Sequence, residues 1–283
     1  TYLDKKDEIG QLSNSLNNMY KQLAESYINL KQLTIIQDRQ KKELIKANKS
    51  KDDFLANMSH ELKTPLNSIN VISSIMMKNK NKILNEEQVK NLNIINHCGN
   101  DLLYLINDIL DISRLEAGKI KPNYSTFNLY ETILKIKDMF EPQVKNKKLE
   151  FIFKYDEKVQ LIYSDEQKIK QIIKNLLSNS LKFVKEGAIK LTVKDFNENF
   201  IILVKDDGIG IEDIQLVNIF DRFKQADSNI TRKYGGTGLG LAICKELTNL
   251  LEGTIKVKSK IGIGTIFQLT LPKNEKKVSN IVI

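Results

Sequence analysis

One of the two histidines in this 283-residue chain lies at 54–69, in FLANMSHELKTPLNSI, beside side chains that can move a proton. An unprotonated imidazole is a nucleophile, and the carboxylate of the next residue, Glu61, can accept or orient the proton on the far ring nitrogen of His60. Thr64 lies one helical turn further along the same face, where its hydroxyl can position a water against a group attached to His60. The segment therefore predicts a nucleophilic histidine.

The helical phase of this segment directs His60 away from its apolar side chains. At about 100° per residue, His60 lies about 200° from both Met58 and Leu62, so a core position is not expected. An ordinary surface histidine remains the alternative. Pro65 lacks an N–H and predicts a bend in the helix. The other histidine, His97, lies in IINHCGN without an adjacent acid, and we expect it to be structural or superficial.

A second group of polar residues lies in NLLSNSLKF, 175–183. Asn175 and Asn179 are four residues apart on one helical face, and Lys182 follows three residues later. Amide oxygens can bind Mg²⁺, which prefers oxygen ligands and keeps waters beside substrate phosphates, and a lysine supplies a point charge for a phosphate. By itself, such a pair of asparagines is more often polar surface.

Two glycine-rich segments follow. VKDDGIGI ends a β-like run with Asp206, whose carboxylate can accept the exocyclic amine of adenine, and Gly208 and Gly210 permit close approach of the base; an ordinary Asp-Gly turn is the alternative. KYGGTGLGLAI, 233–243, leads into a helix and predicts a phosphate cradle, although its spacing differs from the Walker and dinucleotide motifs. Between them, Phe220 and Phe223 are expected to anchor one end of a mobile lid.

These groups require long helices to position them, and the first helix has a heptad pattern. From Leu12 to Met58, positions step by alternating four and three residues without glycine or proline, which predicts a coiled coil. Polar residues at 26, 37, 40 and 51 weaken the seam, either to conduct a signal or to specify register. The apolar members of the series are Leu12, Leu16, Met19, Leu23, Leu30, Leu33, Leu44, Ala47, Phe54 and Met58.

After the coiled coil, the pattern predicts a helical hairpin and then an α+β domain. The first hairpin helix ends in KNKNKILNEEQ, and an amphipathic helix follows that carries Leu92, Ile95 and Leu102. Two such hairpins form a four-helix bundle when the chain dimerises. From about residue 123, β-like runs cluster among helical stretches at 163–184 and 239–251. These runs are LEFIFKY, AIKLTV, FIILVKD and TIFQLTLP. They predict a two-layer sandwich of one sheet with helices on one face.

Composition narrows the class of protein. The net charge is +9, but the charges are interspersed, which argues against a nucleic-acid-binding arm and leaves a mildly basic surface for an anionic ligand or acidic partner. Cys98 and Cys244 are too far apart in sequence to indicate a zinc site or disulfide framework. The longest apolar runs fall short of the ~20 residues that span a bilayer. Because the chain begins at Thr1 within a helical pattern, we expect a piece of a longer protein.

Five segments, in this order, resemble the signature boxes of sensor histidine kinases, and the resemblance extends from about Lys51 to Pro272. The segment DEIGQLSNSLNNM, 7–19, also resembles the end of a HAMP domain, a relay that commonly follows a transmembrane helix. Departures are small: Ser180 stands where alanine is common, Val184 where threonine is common, and Asp207 adds a second carboxylate. The five boxes are SHELKTPL at 59–66, NLLSNSLKF at 175–183, DDGIGI at 206–211, IFDRFKQAD at 219–227 and GGTGLGL at 235–241.

The resemblance implies an ATP-dependent kinase with a Bergerat-type ATP-binding sandwich. His60 would be the phosphoacceptor, Glu61 the assisting base and Thr64 an aid to dephosphorylation of the partner. Asn179 would hold Mg²⁺, and Asp206 would recognise adenine. The other implied nucleotide-binding residues are Asn175, Lys182, Phe183, Gly208, Gly210, Gly236, Thr237, Gly238, Leu239, Gly240 and Thr265.

The family also implies an organisation and partners. We expect a HAMP-like end at 1–22, a signalling coiled coil at 23–50, a dimerisation and phosphotransfer hairpin at 51–121, an ATP-binding domain at 122–273 and a polar tail at 274–283. The expected partners are a second copy of the chain and a response-regulator receiver domain, with no nucleic acid. A membrane would be reached only through an upstream segment, which would make this chain a cytoplasmic portion. Two alternatives remain: an ATP-binding regulator and a scaffold, neither with autokinase activity.

Overall fold

The structure, a computed structural model, describes residues 5–78, 83–224 and 238–274. Backbone contacts divide the chain into two units, Thr1–Asn57 and Met58–Ile283. No helix in the described part of the chain is both long and apolar enough to cross a membrane.

The first unit consists of the N-terminal part of helix α1, Lys5–Met77. The predicted helix is confirmed, as expected for a stretch without proline before Pro65. Its heptad leucines are exposed: Leu12, Leu23 and Leu33 retain 65%, 70% and 56% of their accessible surface. A row of exposed leucines at this spacing has the character of one strand of a coiled coil, and the second strand remains a prediction.

In the second unit, the C-terminal part of α1 packs against helix α2, Glu86–Glu116, and the predicted hairpin is confirmed. Asn85 begins α2 with a capping box, in which its side chain accepts from the Gln88 backbone and the Gln88 side chain accepts in return. A polar layer joins the helices: Asn96 Nδ2 donates to the Asn70 carbonyl at 3.0 Å, and Asn70 Nδ2 donates to Asn100 Oδ1 at 3.0 Å.

The rest of the second unit is an α+β sandwich, as predicted. A five-stranded sheet has the order β2-β4-β5-β7-β6, in which only the β2–β4 pair is parallel, and β1 and β3 form a separate antiparallel ribbon. The elements are β1 Ser125–Asn128, α3 Leu129–Asn146, β2 Glu150–Tyr155, β3 Leu161–Ser164, α4 Glu166–Phe183, β4 Ala188–Phe196, β5 Asn199–Asp206, α5 Asp213–Leu216, α6 Gly240–Leu250, β6 Thr254–Lys260 and β7 Gly264–Pro272.

Helices α3, α4 and α6 cover one face of the sheet. Helix α4 shows why: Ile169, Ile172, Ile173 and Leu176 recur at helical spacing and are fully buried. Each such side chain contributes about 1.5–3 kcal/mol of burial free energy. Asp165 caps the helix by accepting from the Lys168 N–H at 3.1 Å. This packing holds the polar face of α4 in a constant position relative to the sheet.

The last turns of α2 also pack on the sandwich. Ile112 is 5% exposed and belongs to the same hydrophobic core as α4 and α6. Gln171 Nε2 of α4 donates to Asp111 Oδ2 of α2 at 2.8 Å. The hairpin and the sandwich are therefore joined by both apolar and polar contacts.

Candidate functional site

His60 lies on α1 with its side chain exposed, as its helical phase predicted, and Glu61 beside it is also exposed. The Thr64 hydroxyl donates to the His60 carbonyl at 3.3 Å, and the Ser68 hydroxyl donates to the Thr64 carbonyl at 3.1 Å. Helix α1 continues through Pro65. The two hydroxyls flank the proline in sequence, but both accepting carbonyls precede it. The proline ring removes one helical hydrogen bond.

His97 lies on α2 and is exposed, in accord with its expected surface position. Its Nε2 is 3.8 Å from Asp101 Oδ2, one helical turn away. No acid adjoins His97 in the sequence, but Asp101, four residues later, lies beside it on the helix. The two form an i,i+4 pair at the surface.

Asp206 ends β5 inside the sandwich and is 5% exposed. Its Oδ2 accepts from the Ser180 hydroxyl at 2.9 Å, and its Oδ1 accepts from the Gly208 N–H at 3.0 Å. Burial raises the pKa of this carboxyl above its ordinary value, while the Gly208 and Ser180 hydrogen bonds oppose the shift by favouring the charged form. Such an arrangement fixes the orientation of a buried acceptor.

The backbone around Asp206 leaves no room for side chains. A Cβ on Gly208 would lie 2.7 Å from Asp206 Oδ1, and a Cβ on Gly210, whose φ is +74°, would lie 2.1 Å from the Lys260 carbonyl oxygen. Thr265 is paired with Asp206 across β5 and β7, and its hydroxyl lies 2.8 Å from Ser259 Oγ. The structure therefore brings Thr265 of β7 beside the segment that contains Asp206 and Gly208.

The polar face of α4 lies between this pocket and the start of α6. Asn175 Nδ2 donates to the Gly240 carbonyl at 3.3 Å, whereas Asn179 is half-buried and makes no side-chain hydrogen bond to the described residues. The Lys182 ammonium lies 4.9 Å from the centre of the Phe183 ring. Burial lowers the pKa of Lys182, and the Asp101 carboxylate of α2 opposes that shift.

The glycine-rich segment before α6 is described only from residue 238 onward. Gly238 has φ +70°, and its carbonyl accepts from the Phe223 N–H at 3.2 Å. Leu239 is 1% exposed, which leaves only its backbone for a ligand. Gly236 and Thr237 lie outside the described residues, as does the part of the predicted lid from 225 to 234.

The expected anchoring of the lid by two phenylalanine rings is corrected by the structure. The Phe220 ring packs edge-on against Phe267, with ring centroids 6.5 Å apart, but the Phe223 side chain is 66% exposed. Phe223 has φ +58° and contributes through its N–H. The left-handed backbone turns its ring away from the core.

Ser180 is a site residue that the sequence prediction missed. In the sequence it is only a departure from alanine, yet its hydroxyl donates to Asp206 and the residue is 1% exposed. Ser180 lies three residues after Leu177 and four after Leu176, so the sequence places it on the apolar face of α4. A buried hydroxyl without a hydrogen-bond partner costs free energy, so a serine at this position indicates that a partner is nearby.

Two protein-family models match this chain, and each covers one of the two sites described above. The His Kinase A (phospho-acceptor) domain matches 50–118, which contains His60, and the histidine kinase-, DNA gyrase B- and HSP90-like ATPase domain matches 164–275, which contains Asp206. The chain belongs to the sensor histidine kinases. The predicted family, and with it the ATP-binding class of the sandwich, is confirmed.

Individual proteins resemble this kinase over most of its length. The autoinducer 2 sensor kinase/phosphatase LuxQ of Vibrio parahaemolyticus is 35% identical over 245 residues, which cover 84% of this chain and 28% of LuxQ. Full-length ShkA, solved with AMPPNP, has a TM-score of 0.65 at 28% identity and covers 78% of this chain and 45% of its own. The histidine kinase ThkA, solved with the response regulator TrrA, has a TM-score of 0.55 at 26% identity, covering 80% and 62%. The chain spans less than a third of its LuxQ relative.

Proposed function

We propose that this histidine kinase phosphorylates itself on His60 from ATP and passes the phosphoryl group to an aspartate of a response-regulator receiver domain. The observation that carries this proposal is an exposed histidine followed by an acid, His60 and Glu61, in the same chain as a buried carboxylate pocket around Asp206. One group is suited to attack a phosphate and the other to hold a nucleotide.

The chemistry needs ATP, a divalent cation on its phosphates, and the His60 and Glu61 side chains. A ring nitrogen of neutral His60 attacks the γ-phosphorus in line, and the bond from that phosphorus to the β–γ bridging oxygen breaks. ADP leaves with the electron pair. The attacking ring becomes cationic, and Glu61 accepts the proton from its other nitrogen. The product is a phosphoramidate, whose P–N bond is reactive enough to transfer its phosphoryl group to a carboxylate.

The nucleotide would be held by the residues gathered around α4 and β5. Asp206 accepts the adenine amine, and the bare backbone at Gly208 and Gly210 lies against the base. Lys182 offers its charge to the phosphates, beside the backbone N–H groups at the N-terminus of α6. Asn179, whose amide makes no hydrogen bond to the described residues, would hold Mg²⁺, which neutralises phosphate charge when bound.

Dimerisation is proposed from the hairpin surface. Leu62, Ile69, Ile72 and Ile95 retain 46–57% of their accessible surface although they continue the helical apolar pattern. A second hairpin would cover them and complete a four-helix bundle. In that dimer His60 stays on the outside, where both an ATP domain and a receiver domain reach it. We place this chain on the cytoplasmic side of a membrane sensor, without a role in nucleic-acid binding.

The proposal is tested by incubating the purified chain with γ-labelled ATP. Protein-bound label should be lost in acid and stable in base, as a phosphoramidate is, and should move to a receiver domain when a cognate regulator is added. Nucleotide binding without labelling would favour the ATP-binding regulator instead. Label that survives acid would refute histidine phosphorylation.

Ser180→Ala should weaken ATP binding by about fivefold, because it removes one hydrogen bond that holds Asp206. The buried carboxylate loses a donor, so the pKa of Asp206 rises further and the charged form is populated less at low pH. A nucleotide titration at several pH values measures both effects. Ser178→Ala, an exposed neighbour on α4, is the matched control and should bind ATP like the parent. Equal affinities in all three proteins would contradict the positioning role of Ser180.

Pro65→Ala should change the ratio of kinase to phosphatase activity. Alanine restores the N–H that the proline lacks, so a hydrogen bond forms to the Glu61 carbonyl and the helix beside His60 stiffens. Autophosphorylation and dephosphorylation of a phosphorylated receiver are measured on the same preparation. Asn67→Ala, exposed on the same turn, is the control that restores no bond. An unchanged ratio in Pro65→Ala would count against a proline-dependent bend.

A further inference from the structure

The face of the five-stranded sheet opposite the helices is strongly basic. Side chains alternate between the two faces of a strand, so the buried Ile189, Leu191 and Val193 place Lys190 on the side opposite the helices. We call this side the outer face. The described strands contribute seven lysines to it: Lys154, Lys190, Lys194, Lys205, Lys256, Lys258 and Lys260.

The strand register sets these lysines beside one another. Lys190 is directly opposite Lys205 on the neighbouring strand, a like-charge pair that costs stability. Lys205 lies 3.7 Å from Asp207, just past the end of β5, and Glu150 lies at the same end of the sheet. These two acids leave an excess of positive charge on the described strands, whereas a surface that serves only solubility mixes both signs.

A shallow depression of about 220 Å³ lies at one end of this face. Lys205, Lys258 and Lys260 line it, together with the apolar side chains of Ile263 and Ile266. It offers three ammonium groups around an apolar floor, which suits a phosphate group attached to a hydrophobic body.

The composition of the outer face distinguishes among anionic partners. The face carries lysines but no arginine, whereas protein–protein interfaces are enriched in arginine and aromatic residues and depleted in lysine. Phe196, at the end of β4, is the only aromatic residue on this side of the described strands, so a platform for stacking nucleotide bases is lacking. A flat sheet face also does not enter the groove of a duplex.

We propose that the outer face binds the surface of an anionic phospholipid bilayer. The charge complementarity is direct, because lysine ammonium groups interact with lipid phosphates as point charges without a fixed geometry. Half-buried apolar residues such as Ile152, Leu203 and Ile266 lie between the lysines on the same face. Lysine stems beside them contact apolar surface while the charged ends reach the head groups. The outer face lies on the side of the sheet opposite α4 and its nucleotide pocket residues, so bilayer binding is a separate property of this domain.

Vesicle sedimentation of the purified chain tests the proposal. We expect the chain to sediment with vesicles of phosphatidylcholine mixed with phosphatidylglycerol, but not with vesicles of phosphatidylcholine alone. High salt should release the chain from the anionic vesicles. Lys205→Gln, Lys258→Gln and Lys260→Gln combined should weaken binding by about tenfold or more. The matched control combines Lys121→Gln, Lys135→Gln and Lys148→Gln, which removes the same charge from exposed positions off the outer face.

Thermal unfolding and ATP titration of both triple variants establish that each is folded. Loss of vesicle binding in the outer-face variant, with binding retained in the control, supports the proposal. Equal binding of the two variants to anionic vesicles overturns the proposal. It is also overturned if the parent chain binds neutral vesicles as strongly as anionic ones. A chain that ignores anionic vesicles but binds an oligonucleotide or an acidic protein also overturns it.

Discussion

His60→Gln is expected to reduce protein-bound label from γ-labelled ATP to background. Glutamine is polar and of similar reach, so the exposed surface of α1 is preserved, but its amide nitrogen has no available lone pair to attack phosphorus. The substituted position is exposed, and its side chain makes no hydrogen bond to the described residues, so the fold should be unaffected. The measurement is label retained on the protein after base treatment.

His97→Gln provides the matched control, since it makes the same substitution at the other histidine. His97 is exposed on α2, and within the described part of the chain its Nε2 pairs with Asp101 Oδ2, at 3.8 Å, in a surface pair of small energetic value. It should retain full labelling. His60→Gln should bind ATP with the affinity of the parent, which separates loss of the phosphoacceptor from loss of the nucleotide. Equal labelling of the two variants would be incompatible with His60 as the phosphoacceptor.

Asp206→Asn is expected to lower ATP affinity by about 10- to 100-fold, the loss of roughly 1.5–3 kcal/mol that a hydrogen bond to a charged group contributes. One oxygen of the parent carboxylate accepts from Gly208 and the other from Ser180, and both keep lone pairs for the adenine amine. In asparagine, the Gly208 N–H occupies the oxygen, and the amide NH₂ faces the adenine amine as a second donor. Titration with a fluorescent ATP analogue measures the change.

The stability of Asp206→Asn should move in the other direction or remain the same. Burial raises the pKa of Asp206 above its ordinary value, so the folded state holds this proton more tightly than the unfolded state does. The stability contributed by protonation is present at low pH and is lost as pH rises through the raised pKa. The asparagine amide is uncharged at every pH, so this loss of stability does not occur in the variant. The free energy of unfolding at neutral pH should therefore not fall, and its acid-side pH dependence should flatten.

Asp207→Asn is the control for this experiment. Asp207 is exposed, accepts from the Ala188 N–H at 3.0 Å and lies 3.7 Å from Lys205, outside the buried pocket. Its ATP affinity should change little, because its carboxylate does not share the enclosure of Asp206. If both substitutions weakened ATP binding equally, general charge rather than a specific adenine contact would explain the effect.

Local periodicity accounts for the elements that could be predicted from the sequence. The heptad positions from Leu12 to Met58 predicted α1, and the buried runs matched β2, β4, β5 and β7. The strand β6, TIKVKSK, was missed although Ile255 and Val257 alternate with lysines, a period of two. The ribbon strands β1 and β3 have four residues each, too short for periodicity to distinguish them from loop.

The start of α4 shows a similar limit. A helix was expected from 163, but residues 161–164 pair with β1, and Asp165 caps the helix that begins at Glu166. The cap signal was present in the sequence, because aspartate is a preferred N-cap residue. The preceding strand depends on a partner more than thirty residues earlier, which no local pattern reveals.

The sequence by itself determined the reacting groups, their order and the outward phase of His60, because these depend on residue identity and on the fixed helical step. Only the tertiary structure decided that Ser180 holds Asp206, that Phe220 rather than Phe223 packs its ring, and that lysines from four separate strands share one face of the sheet. Each of these depends on strand register and helix packing between segments distant in sequence. Interspersed charges along the chain thus become a basic surface only when the strands pair.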